Sequence, residues 1–320
     1  MRPARELRYA VRSLRLQPGF TAVTVLTLAL GIGANTAVFS VLNRVILAPL
    51  PYDQPDQLVR LYTARQGGGA VQFHTMPDIL DVRDQVDAFA ALGVMYTYQE
   101  VGADLTAGGG TQRVRVLPVS ADYFRTLRVT PLLGRTFTPD EDRSRVRRLV
   151  LSHALWSSAT GRDPGVVGRT LELDGQGFEV VGVMRSGFLD VVAGDVAAWT
   201  PLNLDPSTAS RGNHYLSAIG RLAPGVSVVQ ARAQVDAVMA GLARQFPGTN
   251  ERRSMNVVPL HRDVVGESTV ALYVLMGAAG LVLLIACLNV ANLFLARSMA
   301  QSRAIAIRTA LGASRRRLMG

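Results

Sequence analysis

Apolar residues gather in two unbroken runs near the ends of the chain, Leu16 to Asn43 and Ser268 to Ala296, about 28 and 29 residues without a charge. A helix needs about 20 such residues to cross a hydrocarbon core, so each run predicts a transmembrane helix with some tilt. The first run is about twice the apolar core of a signal peptide, roughly 7–15 residues. It exits through Ala48-Pro49-Leu50-Pro51, a poor cleavage site, and is read as a retained anchor. Ahead of it, Leu7, Ala10, Val11 and Leu14 recur at helical spacing opposite Arg5, Arg8, Arg12 and Arg15, the pattern of an amphipathic helix in a headgroup layer. The expected segments are 1–18 amphipathic helix, 19–46 first span, 47–266 exported domain, 267–296 second span and 297–320 tail.

Between the runs the periods shorten to those of a mixed α/β domain. Leu58 to Tyr62 predicts a strand, and Met76 to Leu92 a helix with Ile79, Leu80, Val86, Phe89 and Leu92 on one side. Val114 to Ser120 reads as a strand entering a short helix at Ala121 to Phe124, and Leu149 to Leu151 as a buried strand before a helix at His153 to Ser158. Asp174-Gly175-Gln176-Gly177 marks the turn of a hairpin joining 170–173 to 178–183. Ser227 and Gln230 form a capping box ahead of Val228, Val235, Val238, Met239, Leu242 and Phe246, and Pro247-Gly248 stops that helix. With strands at Tyr215 to Leu222 and Met255 to Leu260 it makes a βαβ-like unit. The expectation is an α/β periplasmic domain of two α/β subdomains inserted between two transmembrane helices, with the helix at 227–246 on the membrane-proximal subdomain.

Charge fixes the orientation. Five arginines and one acid, Glu6, precede the first run, and six arginines with no acid follow the second, which accounts for the whole net charge of +10. The intervening segment is neutral. Arginine marks the side that is not translocated, so both termini are expected in the cytoplasm and about 220 residues outside. Because the excess flanks bilayer spans, anionic lipid explains the sequence pI near 10.7, and nucleic acid is not an expected partner. The lone Cys287 lies in the second run, leaving the exported domain without thiols, as suits a periplasmic domain large enough to fold by its core.

Candidate chemistry is sparse. The chain has no lysine, and a Walker A loop needs Gly-Lys-Ser/Thr, so it carries no such nucleotide site. His74, His153, His214 and His261 lack metal-ligand spacing, Ser152-His153 lacks a nucleophile elbow, and Asp140-Glu141-Asp142 reads as a solvated turn. No catalytic, cofactor or metal residue is assigned. Ala29, Gly31, Gly33 and Ala34 form a small-residue strip in the first span, and Asn289 and Asn292 share a face of the second. Both features predict helix neighbours, since small residues permit close approach and amides in lipid seek partners. One further helix is too few for both, so additional helices are expected from missing sequence or another subunit.

Four ordered blocks resemble a known family. The stretch from Pro18 to Val41, PGFTAVTVLTLALGIGANTAVFSV, is similar to the first span of MacB/FtsX/Lol-type ABC transporter permeases, closest to the duplicated-permease branch common in acidobacteria. Asp122-Tyr123-Phe124, Pro131 to Phe137 and Glu141-Asp142 resemble one run of that family's external domain. Leu151 to Trp156, Val167-Gly168-Arg169 and Val180 to Met184 resemble a second, and Arg303 to Arg317 resembles the helix after the second span.

The resemblance implies a permease that pairs with a second permease half or forms a homodimer. It implies a cytoplasmic ABC ATPase subunit that uses ATP in place of any cofactor held here, and a relay of ATPase motion to the periplasmic domain. The ATPase-docking positions it implies are Arg308, Ala310, Leu311, Gly312, Ala313 and Ser314; the family usually has Glu where this chain has Ala304. The family continues into further spans, so a fragment or a truncated product is expected. Two other readings of the same topology stand beside this one: a two-span periplasmic sensor, and an FtsX-like regulator of a cell-wall hydrolase.

Overall fold

The computed structural model describes residues 18–43, 49–65, 70–71, 73–97, 101–107, 110–204 and 209–310. It divides into two compact units, residues 1–48 with 265–320, and residues 49–264. In chain order the elements are helix α1 (Pro18–Leu42), strands β1 (Leu58–Arg65) and β2 (Ala70–Val71), helix α2 (Met76–Gln85), strands β3 (Phe89–Tyr96), β4 (Val101–Ala107) and β5 (Gly110–Val119), and helix α3 (Asp122–Leu127). They continue with β6 (Pro131–Gly134), α4 (Pro139–Arg143), β7 (Arg148–Leu151), α5 (His153–Thr160), β8 (Thr170–Leu173), β9 (Gln176–Met184) and β10 (Ala198–Pro201). The last are β11 (Leu216–Leu222), α6 (Val228–Gln245), α7 (Pro247–Asn250), β12 (Arg253–Pro259) and α8 (Leu260–Ala310).

Residues 49–264 form an α/β fold with two lobes. In the first, β12, β1, β11 and β3 lie side by side, each antiparallel to the next. Alternation along β1 decides the faces. Val59 and Leu61 enter the core beneath α2 and α6 with Ala218, Val235, Met239 and Val257, whereas Leu58 joins the core on the opposite side. Because β11 and β12 both flank β1, α6 links two parallel strands with a third between them, a split βαβ unit. Helix α6 starts where its capping box satisfies the first free N–H groups: Ser227 accepts from Gln230 N, and Gln230 reaches back to Ser227 N. Its buried stripe is Ala231, Val235, Met239 and Leu242.

One sequence expectation fails here. The helix read over 76–92 ends at Gln85, and Phe89 and Leu92 belong to β3. Their helical spacing is outweighed by tertiary pairing, because 89–96 aligns with β11 along its whole length. Ala88 fixes the turn between, its N–H donating to Gln234 Oε1 of α6 and its carbonyl accepting from Ala223 N.

In the second lobe β10, β7, β9, β8, β4 and β5 follow one another, and β10 also pairs in parallel with β5, so these strands close into a ring. Its core holds Ala103, Leu105, Val114, Val116, Leu149, Leu151, Val180 and Val183, with Leu155 and Trp156 added by α5. The β8–β9 hairpin turns through Asp174 at φ 50° and Gly175 at φ 74°, the pair of left-handed residues that a tight hairpin turn demands.

The lobes meet at one backbone register, Met95 opposite Val119, and through α3 lying on β3. Gly93 permits that contact: a Cβ there would stand 2.9 Å from Tyr123 Cα. Around it Tyr123, Phe124, Phe137 and Trp199 form a third core with Met95, Val119 and Ile219. The rings of Phe124 and Trp199 meet edge to face at 5.6 Å, a favoured aromatic geometry.

In the terminal unit, α1 and α8 contain the stretches Thr21–Ser40 and Ala271–Asn292, each long and apolar enough to cross a membrane. Both present large apolar side chains outward, Leu26, Leu30 and Phe39 on α1 and Leu281, Leu284 and Leu288 on α8, as lipid-facing helices do. The amphipathic helix expected over 1–18 lies outside the described residues, apart from Pro18, which begins α1.

Candidate functional site

The terminal unit is built on a glycine contact. A Cβ on Gly31 would meet Leu283 Cδ1 at 3.1 Å and Ala286 Cβ at 3.4 Å, so the missing side chain is what lets α1 and α8 close up. One turn further along, Asn35 Nδ2 donates to the carbonyl of Gly31 within α1 and to that of Ala279 in α8, both at 2.9 Å. Asn35 was missed in the sequence, although an amide inside an apolar run was the available signal. Gly33 has open space around it. Asn289 and Asn292 are exposed on α8 and make no side-chain hydrogen bond among the described residues. Arg308 and Ala310 fall in the last turn of α8, while Leu311, Gly312, Ala313 and Ser314 lie outside the described residues.

In the unit 49–264, polar groups concentrate where the lobes join. Tyr123 OH on α3 lies 2.9 and 2.8 Å from the two oxygens of buried Asp190, which also accepts from Val192 N and Ala193 N. Tyr52 OH donates to Leu189 O and accepts from Val191 N, tying the entry segment to the same loop. Burial raises the pKa of Asp190, and burial beside Asp190 raises those of Tyr123 and Tyr52. Arg221 of β11 is fully buried and donates Nε to Thr126 O at 2.7 Å and Nη1 to Gln54 O at 3.1 Å. A cation at the carbonyl end of α3 is favourably placed, although burial lowers its pKa.

The acid run 140–142 is not a solvated turn. It is the first turn of α4, with Glu141 and Asp142 buried and Thr138 completing a capping box with Glu141. Arg135 grips Glu141 through both terminal nitrogens, at 2.8 and 2.7 Å, and Arg148 Nε adds a third bond at 3.1 Å. The Arg135 bonds are the main reason the Glu141 carboxyl is held down to about 2.

The histidines are separate. His74 is buried between Thr63 Oγ1 and Leu61 O, His153 packs edge-on against Trp156, and His214 bonds Arg253. Ser152 caps α5, accepting from Leu155 N at 3.1 Å. Among the described residues no three His, Cys, Asp or Glu side chains come together as a metal site. These arrangements clamp helices and lobes to one another; none aligns a nucleophile with a base.

The chain matches the family model of the MacB-like periplasmic core domain over residues 21–238. It is 26% identical to the "Macrolide export ATP-binding/permease protein MacB" of Hyphomonas neptunium, over 98% of this chain and 48% of that protein. The chain thus spans about half the length of that curated relative. Among solved structures it is similar to the periplasmic region of MacB from Actinobacillus actinomycetemcomitans, with 13% identity, 67% of this chain and 92% of that one covered, and a TM-score of 0.48. It is also similar to the extracellular domain of the noncanonic ABC-type transporter YknZ from Gram-positive bacteria, with 16% identity, 62% and 98% coverage, and a TM-score of 0.45.

Proposed function

This chain belongs to the MacB-like periplasmic core domain family, and on that premise we propose that it is a permease subunit of an ABC-type efflux or mechanotransmission system. The observation that carries this reading is that the matched stretch, residues 21–238, takes in the first of two helices fit to cross a membrane, Thr21–Ser40, and runs on toward the second, Ala271–Asn292. Residues 47–266 stand in the periplasm, both termini face the cytoplasm, and the arginine flanks support that orientation.

The relay works through connectivity. Helix α8 follows β12 directly, and β12 pairs with β1, the strand at which the chain enters the exported domain, with Val59 opposite Pro259. Movement of α8 therefore acts on two neighbouring strands of the first lobe, and reaches the second through α3 and the Met95–Val119 register. ATP is bound and hydrolysed by a separate cytoplasmic ATPase that docks on Arg308, Ala310, Leu311, Gly312, Ala313 and Ser314. A second permease half or a second copy completes the membrane bundle and gives Asn289 and Asn292 partners.

The test is direct binding of a purified MacB-type ATP-binding domain to the chain in lipid nanodiscs. Binding is expected, with at least tenfold loss in Arg308→Glu and Leu311→Glu variants. Absence of binding, or equal binding by both variants, would overturn the docking assignment.

A further inference from the structure

Alternation along β1 places Arg60 on the face turned away from α2 and α6, where the lobes meet, and leaves it only 9% exposed. Its guanidinium donates to Ser217 Oγ of β11 and lies 5.9 Å from the Tyr62 ring centroid. Among the described residues it has no ion-pair partner, and its Nε is buried without a hydrogen-bond partner. The nearest acids act on it at longer range. Asp190 is engaged by Tyr123, Val192 and Ala193, and Asp263 accepts from Tyr62 OH. A guanidinium stays protonated in a protein, and a buried charge is costly to leave unpaired.

Arg60 lines a cavity of about 160 Å³ that Arg115 of β5 also lines. Arg115 is half-buried and held in place by a bond from Nη2 to Ala193 O. Ser217, Thr97 and Tyr96 add hydroxyl-bearing side chains to the lining, Thr97 Oγ1 being buried without a partner. The lining holds two guanidinium groups and no carboxylate side chain.

We infer that this cleft binds a small oxyanion, a phosphate or carboxylate group, between Arg60 and Arg115, with the hydroxyls of Ser217 and Thr97 donating to it. The planar guanidinium fork suits both anions, since it can present two parallel N–H groups to two oxygens. A cavity of about 160 Å³ has room for one such group. Arg60, Ser217 and Thr97 belong to the first lobe and its edge, Arg115 to the second. The anion therefore ties the lobes together at a seam where their backbones share a single register pair.

The experiment follows thermal unfolding of the full chain in nonionic detergent at fixed ionic strength, with sodium phosphate or acetate replacing sodium chloride. Tm is expected to rise with phosphate or acetate beyond the chloride control, as for any ligand that binds only the folded state. Arg115→Gln, at the more accessible wall, should weaken the apparent affinity at least tenfold. Arg60→Met, an apolar replacement of similar length, should fold and abolish the response. A parallel arm with soluble dihexanoyl-phosphatidylglycerol separates the sources: a response to it alone identifies a lipid headgroup, and a response to inorganic phosphate a free anion. No anion-specific shift in either arm, or equal shifts in the wild type and both variants, would overturn the assignment.

Discussion

Asn35 Nδ2 on α1 donates to the backbone carbonyl of Ala279 on α8 at 2.9 Å, one turn from the place where Gly31 sits against Leu283 and Ala286. A polar tie and a close contact thus coincide on one stripe of the helix pair. Interhelical hydrogen bonds in lipid contribute about 0.6–2 kcal/mol, and close packing adds dispersion over the whole contact. Asn35→Leu is expected to weaken the pair by about 1 kcal/mol. Gly31→Leu should be more disruptive, because its side chain must displace Leu283. Gly33→Leu, with open space around it, should be close to neutral. Disulfide trapping between cysteines placed on α1 and α8, in a Cys287→Ser background, reads the order directly; equal trapping in Gly31→Leu and Gly33→Leu would contradict it.

His74 gives the unit 49–264 a pH dependence of defined sign. Leu61 O can only accept, so Nε2 carries the proton and Nδ1 accepts from Thr63 Oγ1, at 2.8 and 2.7 Å. Burial is the main cause that brings its pKa from 6.5 down to about 4. The unfolded chain takes up a proton that the folded chain refuses. The contribution of His74 is therefore complete above about pH 6.5 and is lost as pH falls toward 4, about 3 kcal/mol across that window. Urea unfolding between pH 7 and pH 5 should show stability falling with acidity. His74→Gln, which can keep both hydrogen bonds, should flatten that slope; an unchanged slope would assign it elsewhere.

Gly93 is the tightest point of the lobe joint. A methyl group there would come within 2.9 Å of Tyr123 Cα, which is backbone and cannot rotate away, and 3.3 Å from Ile219 Cγ1. Gly93→Ala is expected to cost about 1–3 kcal/mol by overpacking and to loosen α3 from β3. A lowered Tm with faster hydrogen exchange in 120–127 is the expected result, and unchanged exchange there would contradict it.

Much of this architecture was legible because its signals are local. Ser227 and Gln230 announced α6, Asp174-Gly175 announced the β8–β9 hairpin, and the two apolar runs announced α1 and the middle of α8. What stayed hidden depends on partners far along the chain. The first half of β3, Phe89 to Leu92, looked helical because its partner β11 lies more than a hundred residues away. Closure of the ring by β10 on β5 has no local signature. The Glu141 carboxylate is a different case: its partners Arg135 and Arg148 are near in sequence, but no spacing pattern marks the fold of 135–148 that turns them onto it. At the helix pair, Gly31 was legible as a small residue, but its partner was not, and Asn35 passed unnoticed.

The proposed topology rests on the arginine flanks and is tested by labelling with a membrane-impermeant maleimide in a Cys287→Ser background. Glu172→Cys on the β8 strand should react in cells whose outer membrane alone is opened, and Ser302→Cys only after the inner membrane is permeabilised. Reaction of both positions from the same side would contradict two spans with cytoplasmic termini.

Under the proposed relay, nucleotide binding in the cytoplasm changes the domain 49–264. Hydrogen–deuterium exchange of the chain in nanodiscs, bound to a MacB-type ATP-binding domain, tests it with and without ATP under non-hydrolysing conditions. ATP-dependent changes in exchange are expected in β12, β1 and the 89–127 segment that joins the lobes. Identical exchange throughout residues 49–264 in the two states, with the ATPase bound and loaded, would contradict it.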